Sequence, residues 1–239
     1  MSTTNMSEQS DADWITYYYR KPEPERFVEE ITELGEAGVL ELEEINYVVL
    51  GFLSKIFADN PERVRNWFDQ LQILKLKRWP LLFLAASYSR NDQVESFLEE
   101  IGFSRDTFAE KSVLEQDWGS GEALDMLWGY FFASGEEAPI RRIISAFELA
   151  DDFGAAERFA ESKQTKADED AALRDAVFQS AMWSLESNCS QHPLVLEHCE
   201  RIVKTKLTTN ELTYLVMILS KLKPDSYSIE FKDESGETS

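Results

Sequence analysis

Apolar residues recur along this chain at the spacing of an amphipathic helix. In four segments a short turn containing acidic residues, Asn or Pro is followed by apolar residues at positions i, i+4 and i+7. These segments open at Phe27, Val64, Val94 and Ile140. Because these positions lie on one face of an α-helix, each segment is predicted to be a helix with one buried face. A fifth, weaker copy opens at Val195 and continues with Cys199 and Ile202.

The rest of the chain also carries helical periodicity, whereas the signals for strands are almost absent. Alternating apolar and polar residues joined by Asn-Gly turns are nearly missing. Further helices are predicted over about 43–58, 80–88, 122–133, 173–185, 193–206 and 208–222. The pattern therefore predicts an all-α fold of about ten helices, stacked as antiparallel helical hairpins in an irregular α-solenoid or a helical globule.

The domain organisation follows from where this pattern begins and ends. Residues 14–223 are predicted to form one helical-hairpin repeat domain. Residues 1–13 and the acidic segment 224–239 lack the apolar periodicity and are predicted to be disordered tails. Within the domain, residues 102–121 are mostly polar, which predicts a long loop with room for one helical turn.

The repeated turn and helix over residues 14–222 resembles HEAT-like and tetratricopeptide-like helical repeats at the level of architecture. The four copies start at residues 27, 64, 94 and 140, so the intervals between them are 37, 30 and 46 residues. The tetratricopeptide pattern of Trp, Leu-Gly and Tyr at fixed offsets is missing. The resemblance implies stacked hairpins, which present binding surfaces more often than they perform chemistry. It carries over no family function.

Charge and composition disfavour several classes of partner. The chain has 45 Asp and Glu residues against 24 Lys and Arg residues, a net charge of −21. This balance disfavours nucleic acid and anionic membranes, and no apolar run is long enough for a transmembrane helix. The acidity fits either solubility or a basic partner. The first 13 residues lack the features of a signal peptide, and two cysteines make no disulfide framework, so we expect a cytoplasmic location.

The two cysteines and two histidines of the chain are gathered in one stretch, at Cys189, His192, His198 and Cys199. These side chains are typical zinc ligands. However, His198 and Cys199 are adjacent on a predicted helix, so their side chains diverge by about 100°. Cys189 and His192 stay as a candidate metal pair that needs two further ligands. We expect ordinary packing for these residues, with no metal and no cofactor.

No catalytic residue is predicted from the sequence. No nucleophile elbow or triad pattern is present, and Gly119-Ser120-Gly121 lacks the length and the following Lys of a phosphate-binding loop. Carboxylates are abundant, but only burial or a charged neighbour would adapt one for acid–base catalysis. We therefore expect binding rather than catalysis.

The aromatic residues are the more informative candidates. Trp and Tyr are favoured as anchors of protein interfaces. Three consecutive tyrosines cannot all face inward on a helix, so at least one of them should be exposed or line a groove. The candidate binding residues are Trp14, Tyr17, Tyr18, Tyr19, Trp128 and Tyr130.

These features predict a non-catalytic interaction module or adaptor that binds a protein or peptide through a groove between helices. The acidity favours a basic partner. Two alternatives stay open. A pocket lined by aromatic residues such as Trp128 and Phe132 would suit a small-molecule-binding protein or an enzyme. Carboxylates clustered on one face would suit an acidic inhibitor or a mimic of nucleic acid.

Overall fold

The computed structural model describes residues 14–41, 46–72, 79–119, 121–161 and 165–227. Every regular element within these ranges is an α-helix or a 3-10 helix, which confirms the predicted all-α fold. The chain divides into two compact units, Met1–Arg142 and Ile143–Ser239. The predicted tail 1–13 and residues 228–239 of the second tail lie outside the described residues. The single domain over 14–223 stays a prediction.

The first unit contains six complete α-helices among its described residues, and a seventh extends three residues beyond its boundary. They are α1 Phe27–Glu36, α2 Tyr47–Asp59, α3 Pro61–Gln70, α4 Pro80–Tyr88, α5 Asp92–Glu100, α6 Glu122–Ser134 and α7 Glu137–Ser145. Short 3-10 helices span Tyr18–Arg20, Pro24–Arg26, Arg105–Thr107 and Val113–Glu115. The segment predicted as a long loop over 102–121 therefore holds two helical turns rather than one.

Helix α2 is the centre of the first unit. Its residues 49–57 are all buried, so neighbours must surround it. It packs against α6, α4 and α3. At the crossing with α6 the two backbones are in direct contact, because a Cβ on Gly51 would lie 2.0 Å from the Met126 carbonyl oxygen. A Cβ on Gly129 would likewise lie 1.9 Å from the Val48 carbonyl oxygen, so both positions require glycine.

The ends of α2 differ from the sequence prediction. A helix from about Glu43 was expected, but Asn46 is extended and its side chain accepts a hydrogen bond from the Val49 N–H, so α2 begins at Tyr47. Residues 43–45 lie outside the described residues. Asn60, directly before Pro61, is a residue type that often caps a helix with its side chain. Its amide instead donates to the Ile56 carbonyl at 3.0 Å, which satisfies the end of α2.

The second unit is organised around one long helix. Its described elements are the 3-10 helix Ala146–Asp152, α8 Ala155–Glu161, α9 Lys166–Gln191, α10 Pro193–Ile202 and α11 Thr209–Leu222. Helix α9 contacts all four other elements. It is 26 residues long, twice the predicted 173–185, because a capping box between Thr165 and Asp168 starts it seven residues earlier and the helix continues six residues further, to Gln191. Helix α11 also begins with a capping box, in which the side chains of Thr208 and Glu211 each accept a hydrogen bond from the other residue's backbone N–H.

The helix pairings are consistent with helical hairpins. Helices α9 and α10 follow each other through a turn at His192 and bring Cys189 Sγ and Cys199 Sγ to 3.7 Å. The predicted stacking of such hairpins stays a prediction. None of the described helices is both long enough and apolar enough to cross a membrane.

Candidate functional site

The first unit carries an apolar groove beside α4 and α5. It is a cavity of about 390 Å³, open to solvent on one side. Helix α4, helix α5 and the loop that follows α5 form its walls. The groove is lined by Pro80, Phe83, Leu84, Ser87, Leu98, Phe103, Thr107 and Phe108.

The chain turns into the groove at the end of α5. Gly102 has a left-handed backbone with φ of 97°, a conformation that favours glycine. Its N–H donates to the Glu99 carbonyl at 3.0 Å, and the Phe103 N–H donates to the Leu98 carbonyl at 3.0 Å. This pair of hydrogen bonds is the Schellman motif, in which the residue after the glycine packs against the helix. Phe103 and Leu98 consequently line the same groove.

Stacked aromatic rings fix the position of the groove wall. The rings of Phe103 and Phe83 stack with centroids 4.8 Å apart and planes at 23°. On its other side Phe83 meets Phe68 edge-on at 5.3 Å, and Phe68 in turn meets Phe97 at 5.4 Å. Phe68 is fully buried. The wall is therefore an extension of the core of the unit, which makes it rigid.

The loop beyond Phe103 is held to α4. The 3-10 turn Arg105–Thr107 is followed by Phe108, which lines the groove from the loop side. The guanidinium of Arg90, just after α4, donates to the Ala109 carbonyl at 2.7 Å. This contact ties the end of the groove loop to the helix that forms the opposite wall.

The two hydroxyl groups in the lining are already engaged. Ser87 Oγ donates to the Leu84 carbonyl at 2.7 Å, and Thr107 Oγ1 donates to the Ser104 carbonyl at 2.6 Å. The other lining side chains are apolar. The groove therefore presents aromatic and aliphatic surface to a ligand, and among the residues that the structure describes its lining contains no carboxylate, imidazole, thiol or amine to act as a general acid or base.

Acidic residues dominate the segment that carries α5 and the loop of the groove. Residues 90–117 contain eight Asp or Glu against three Lys or Arg. Each of the three cations has an acidic neighbour: Arg90 is 3.6 Å from Glu95, Arg105 pairs with Glu99, and Lys111 pairs with Asp117. The excess of carboxylates gives this segment a negative net charge.

A separate cluster of charged side chains lies at the end of α2, where Lys55 is almost fully buried. Its Nζ is 2.9 Å from Asp59 and 2.8 Å from Glu136, and it lies 5.2 Å from the centre of the Tyr130 ring. Burial alone would lower the pKa of Lys55, but the hydrogen bonds to Glu136 and Asp59 outweigh it and raise that pKa. The amine is therefore protonated and serves as an ion-pair partner rather than a nucleophile.

Three of the six predicted binding residues lie in the core. Trp14, Tyr18 and Trp128 are buried. Trp14 and Tyr18 each meet Phe52 edge-on, with centroids 5.1 Å and 5.4 Å apart. Burial, followed by the charges of Glu25 and Asp59, raises the pKa of Tyr18 to about 12. These rings stabilise the packing around α2.

Tyr17, Tyr19 and Tyr130 are half-buried. The guanidinium of Arg20 lies 4.2 Å from the centre of the Tyr17 ring, and its Nε donates to Tyr19 Oη at 3.3 Å. Tyr19 also contacts Phe131 at 5.2 Å. The binding role of the six aromatic residues stays a prediction, and these three have surface to offer a partner.

All four Cys and His residues are buried in the second unit. Contact with the Cys189 thiol, together with burial, raises the pKa of Cys199. The Nδ1 of His198 contacts the guanidinium of Arg201, and His192 occupies the turn between α9 and α10. In the part of the chain that the structure describes, no three His, Cys, Asp or Glu side chains are grouped so that they could hold a metal.

The residues that line the apolar groove are not among the candidates that the sequence predicts. The available signal was weak: Gly102 after a predicted helix, followed by Phe103 and Phe108 in a polar stretch. Two large apolar residues in a polar loop indicate that the loop folds back onto a core. Phe83, Leu84 and Leu98 belong to helices that are apolar for packing, so their sequence did not distinguish them.

Comparison with protein-family models, with curated protein sequences and with solved structures gave no match for this chain. The function must therefore be inferred from the geometry of the chain itself.

Proposed function

We propose that this chain is a non-catalytic binding protein whose apolar groove receives the apolar face of a basic amphipathic helix. The observation that supports the proposal most strongly is the lining of the groove, in which every described side chain is apolar or has its hydroxyl engaged by a backbone carbonyl. Such a surface suits the apolar face of a helix laid into a groove between helices. It offers aromatic anchors without a reactive group.

The charge of the residues beside the groove indicates which charge the partner helix should carry. The region 90–117 has the eight acidic and three basic residues described above, in a chain of net charge −21. A helix with Leu or Phe on one face and Lys or Arg on the other would match both the apolar lining and the acidic surroundings. An acidic helix would be repelled, and a neutral one would gain only the apolar contact.

The experiment uses a labelled synthetic peptide of about 18 residues, long enough to form several helical turns, with a Leu face and a Lys face. Fluorescence anisotropy of the full chain with this peptide should show saturable binding that weakens as salt is added. Leu84→Glu places a charge in the groove from a half-buried helix position and should weaken binding by at least tenfold. Phe108→Ala, which removes a ring on the loop side, should weaken it by a smaller factor.

A matched control separates the groove from general loss of an apolar residue. Leu212 on α11 is 44% exposed, so Leu212→Glu makes the same substitution in the second unit. This variant should bind like the parent. A peptide in which Glu replaces Lys tests the charge. Equal binding by the parent and Leu84→Glu, or equal binding of the Lys and Glu peptides, would refute the proposal.

A small apolar molecule is the second candidate ligand, because about 390 Å³ lies within the range of small-molecule sites. Binding of such a neutral molecule would not depend on the acidic residues of 90–117. A neutral apolar dye titrated into the chain tests this candidate. Dye binding that Leu84→Glu abolishes, together with no binding of the basic peptide, would favour the small molecule over the helix.

Partner class and location follow from the same charge and composition. The proposal excludes nucleic acid and anionic membranes as partners, because a net charge of −21 repels these negatively charged surfaces. A cytoplasmic location is supported by a content of only two cysteines, which is too low for a disulfide framework.

A further inference from the structure

Trp183 is the most exposed large apolar side chain in the part of the chain that the structure describes. It lies on α9 and is 74% exposed. Trp14, Trp67, Trp79 and Trp128 are buried. Trp is strongly enriched at the centres of interfaces, because one side chain removes a large apolar area from water. An indole ring this exposed indicates a surface that another molecule covers.

The residues around Trp183 form one continuous strip of α9, here named the Trp183 face. Residues three, four and seven positions apart share a side of a helix. The Trp183 face consists of Leu173, Ala176, Gln179, Ser180, Trp183 and Ser187. All of them are exposed except Ser187, which is half-buried. Two small residues, Ser180 and Ala176, lie one and two turns before the large ring.

The Trp183 face is uncharged in a chain that is otherwise acidic. Between residues 173 and 191 the only charged residues are Arg174, Asp175 and Glu186. Arg174 pairs with Asp152 at 2.6 Å, and Glu186 pairs with Lys221 at 2.8 Å. Asp175 is buried and accepts a hydrogen bond from the Ala156 N–H. Each of these charges is therefore used inside the second unit.

We infer that the Trp183 face is a weak homodimer interface, in which α9 of one copy packs antiparallel on α9 of a second copy. Charge selects this occupant. Two copies of net charge −21 repel each other over most of their surface, so they can approach closely only where charge is missing. A basic partner would gain nothing from an uncharged face and would be drawn to the acidic regions instead.

The spacing of large and small residues supports the antiparallel arrangement. If two α9 helices cross with the dyad between Gln179 and Ser180, residue 183 of each copy faces residue 176 of the other. Trp183 then lies over Ala176, where a methyl group leaves room for the ring. The same register places Glu186 opposite Leu173, so no two like charges meet across the axis. Because the interface is isologous, both rings are buried at once.

The available area sets the strength of the dimer. The face from Leu173 to Ser187 spans about 21 Å of helix at 1.5 Å per residue, and a helix is about 10 Å wide. This patch is well below the roughly 800 Å² per partner of a stable complex. The dimer should therefore dissociate in the high-micromolar range and exchange rapidly with monomer.

Sedimentation velocity of the full chain, from micromolar to near-millimolar concentration, tests the proposal. The weight-average mass should rise with concentration and rise further at high salt, because salt screens the repulsion between copies. This salt response is opposite to that expected for the basic peptide in the groove. Acrylamide quenching of tryptophan fluorescence should fall over the same concentration range, as Trp183 becomes covered.

Two variants locate the interface. Trp183→Ala removes an exposed ring, so the fold is preserved and the dimer should be lost. Ala176→Glu puts a carboxylate opposite Trp183 and should also abolish dimerisation. Phe153→Ala removes an aromatic side chain that is 64% exposed in the same unit but outside the face, and it should dimerise like the parent. A chain that stays monomeric at near-millimolar concentration, or a dimer that survives Trp183→Ala, would overturn the inference.

Discussion

The contact between α2 and α6 makes a prediction whose sign is unusual for a helix. Replacing a glycine inside a helix with alanine normally stabilises it, since alanine has the higher helix propensity by about 1 kcal/mol. At Gly129 we expect the opposite. The new Cβ would lie 1.9 Å from the Val48 carbonyl oxygen and 2.6 Å from the Phe52 backbone nitrogen. Both neighbours are backbone atoms, so no change of rotamer relieves the overlap.

The magnitude follows from the size of the overlap. A carbon–oxygen contact is ordinarily about 3.3–3.6 Å, so the Cβ is too close by about 1.5 Å and α6 must move away from α2. Overpacking of a core costs about 1–3 kcal/mol, and a shift between two central helices falls at the upper end. After the gain of about 1 kcal/mol in propensity, Gly129→Ala should lower the unfolding free energy by about 2 kcal/mol.

Urea unfolding followed by far-ultraviolet circular dichroism measures this loss. With a urea dependence of about 2 kcal/mol per molar, the midpoint should fall by about 1 M. Gly121→Ala is the matched control, since a Cβ there meets nothing within 4 Å and its φ of −67° suits alanine. Because Gly121 is the N-cap of α6, where alanine is less favourable than glycine, the stiffer unfolded chain is offset and the unfolding free energy should change by less than about 0.5 kcal/mol.

A double variant strengthens the test. Gly51→Ala should cost a similar amount, because its Cβ would lie 2.0 Å from the Met126 carbonyl oxygen at the same crossing. Once α2 and α6 have moved apart to accommodate one methyl group, the second methyl group needs less further movement. The double variant should therefore lose less unfolding free energy than the sum of the two single-variant losses. A Gly129→Ala variant that unfolds at the parent's urea midpoint or above it would refute the close approach of α2 and α6.

Two further predictions concern the two units separately. Because burial raises the pKa of Tyr18 to about 12, the neutral phenol stabilises the fold fully below the unfolded-state pKa of about 10, and this contribution is lost as pH rises toward 12. As the pH rises from about 8 to about 11, Tyr18→Phe should therefore lose about 1 kcal/mol less unfolding free energy than the parent. Urea titrations that show the same loss for the variant and the parent would contradict this prediction. In the second unit, Thr208→Ala removes a capping box and should lower stability by about 1 kcal/mol. Thr213→Ala, exposed inside the same helix, should change stability by less than about 0.5 kcal/mol, and equal effects of the two substitutions would rule out a special role for the cap.

Local signals predicted most helices, and the misses have physical causes. Helix α4 matches its predicted bounds, because Pro80 fits the first turn and an apolar run follows it. The first two turns of α9 were missed because they are polar and show no buried stripe. They are stabilised by the capping box at Thr165 and by packing against α8. The buried carboxylate of Asp175 accepts the Ala156 N–H at 3.0 Å, a contact between residues 19 positions apart that local patterns do not reveal.

Burial of individual aromatic residues was harder to predict than helix formation. Trp183 lies in the predicted helix 173–185, but the neighbours of α9 pack against the other side of that helix and leave the ring 74% exposed. Trp128 was a binding candidate, yet α2 covers its helix because Gly51 and Gly129 allow a close crossing. In both cases the outcome depends on which side of a helix meets its neighbour, and that is decided by contacts distant in sequence.

The central claim is that the apolar groove binds the apolar face of a basic helix, and methyl NMR tests it most directly. With isotope-labelled Leu and Met methyl groups, titration of the basic amphipathic peptide should shift the signals of Leu84 and Leu98 in a saturable way. The methyl groups of Leu212 and Met217, exposed on α11, should not respond. If the peptide shifts only methyl groups of the second unit, or binds without shifting Leu84 and Leu98, the groove is not the binding site.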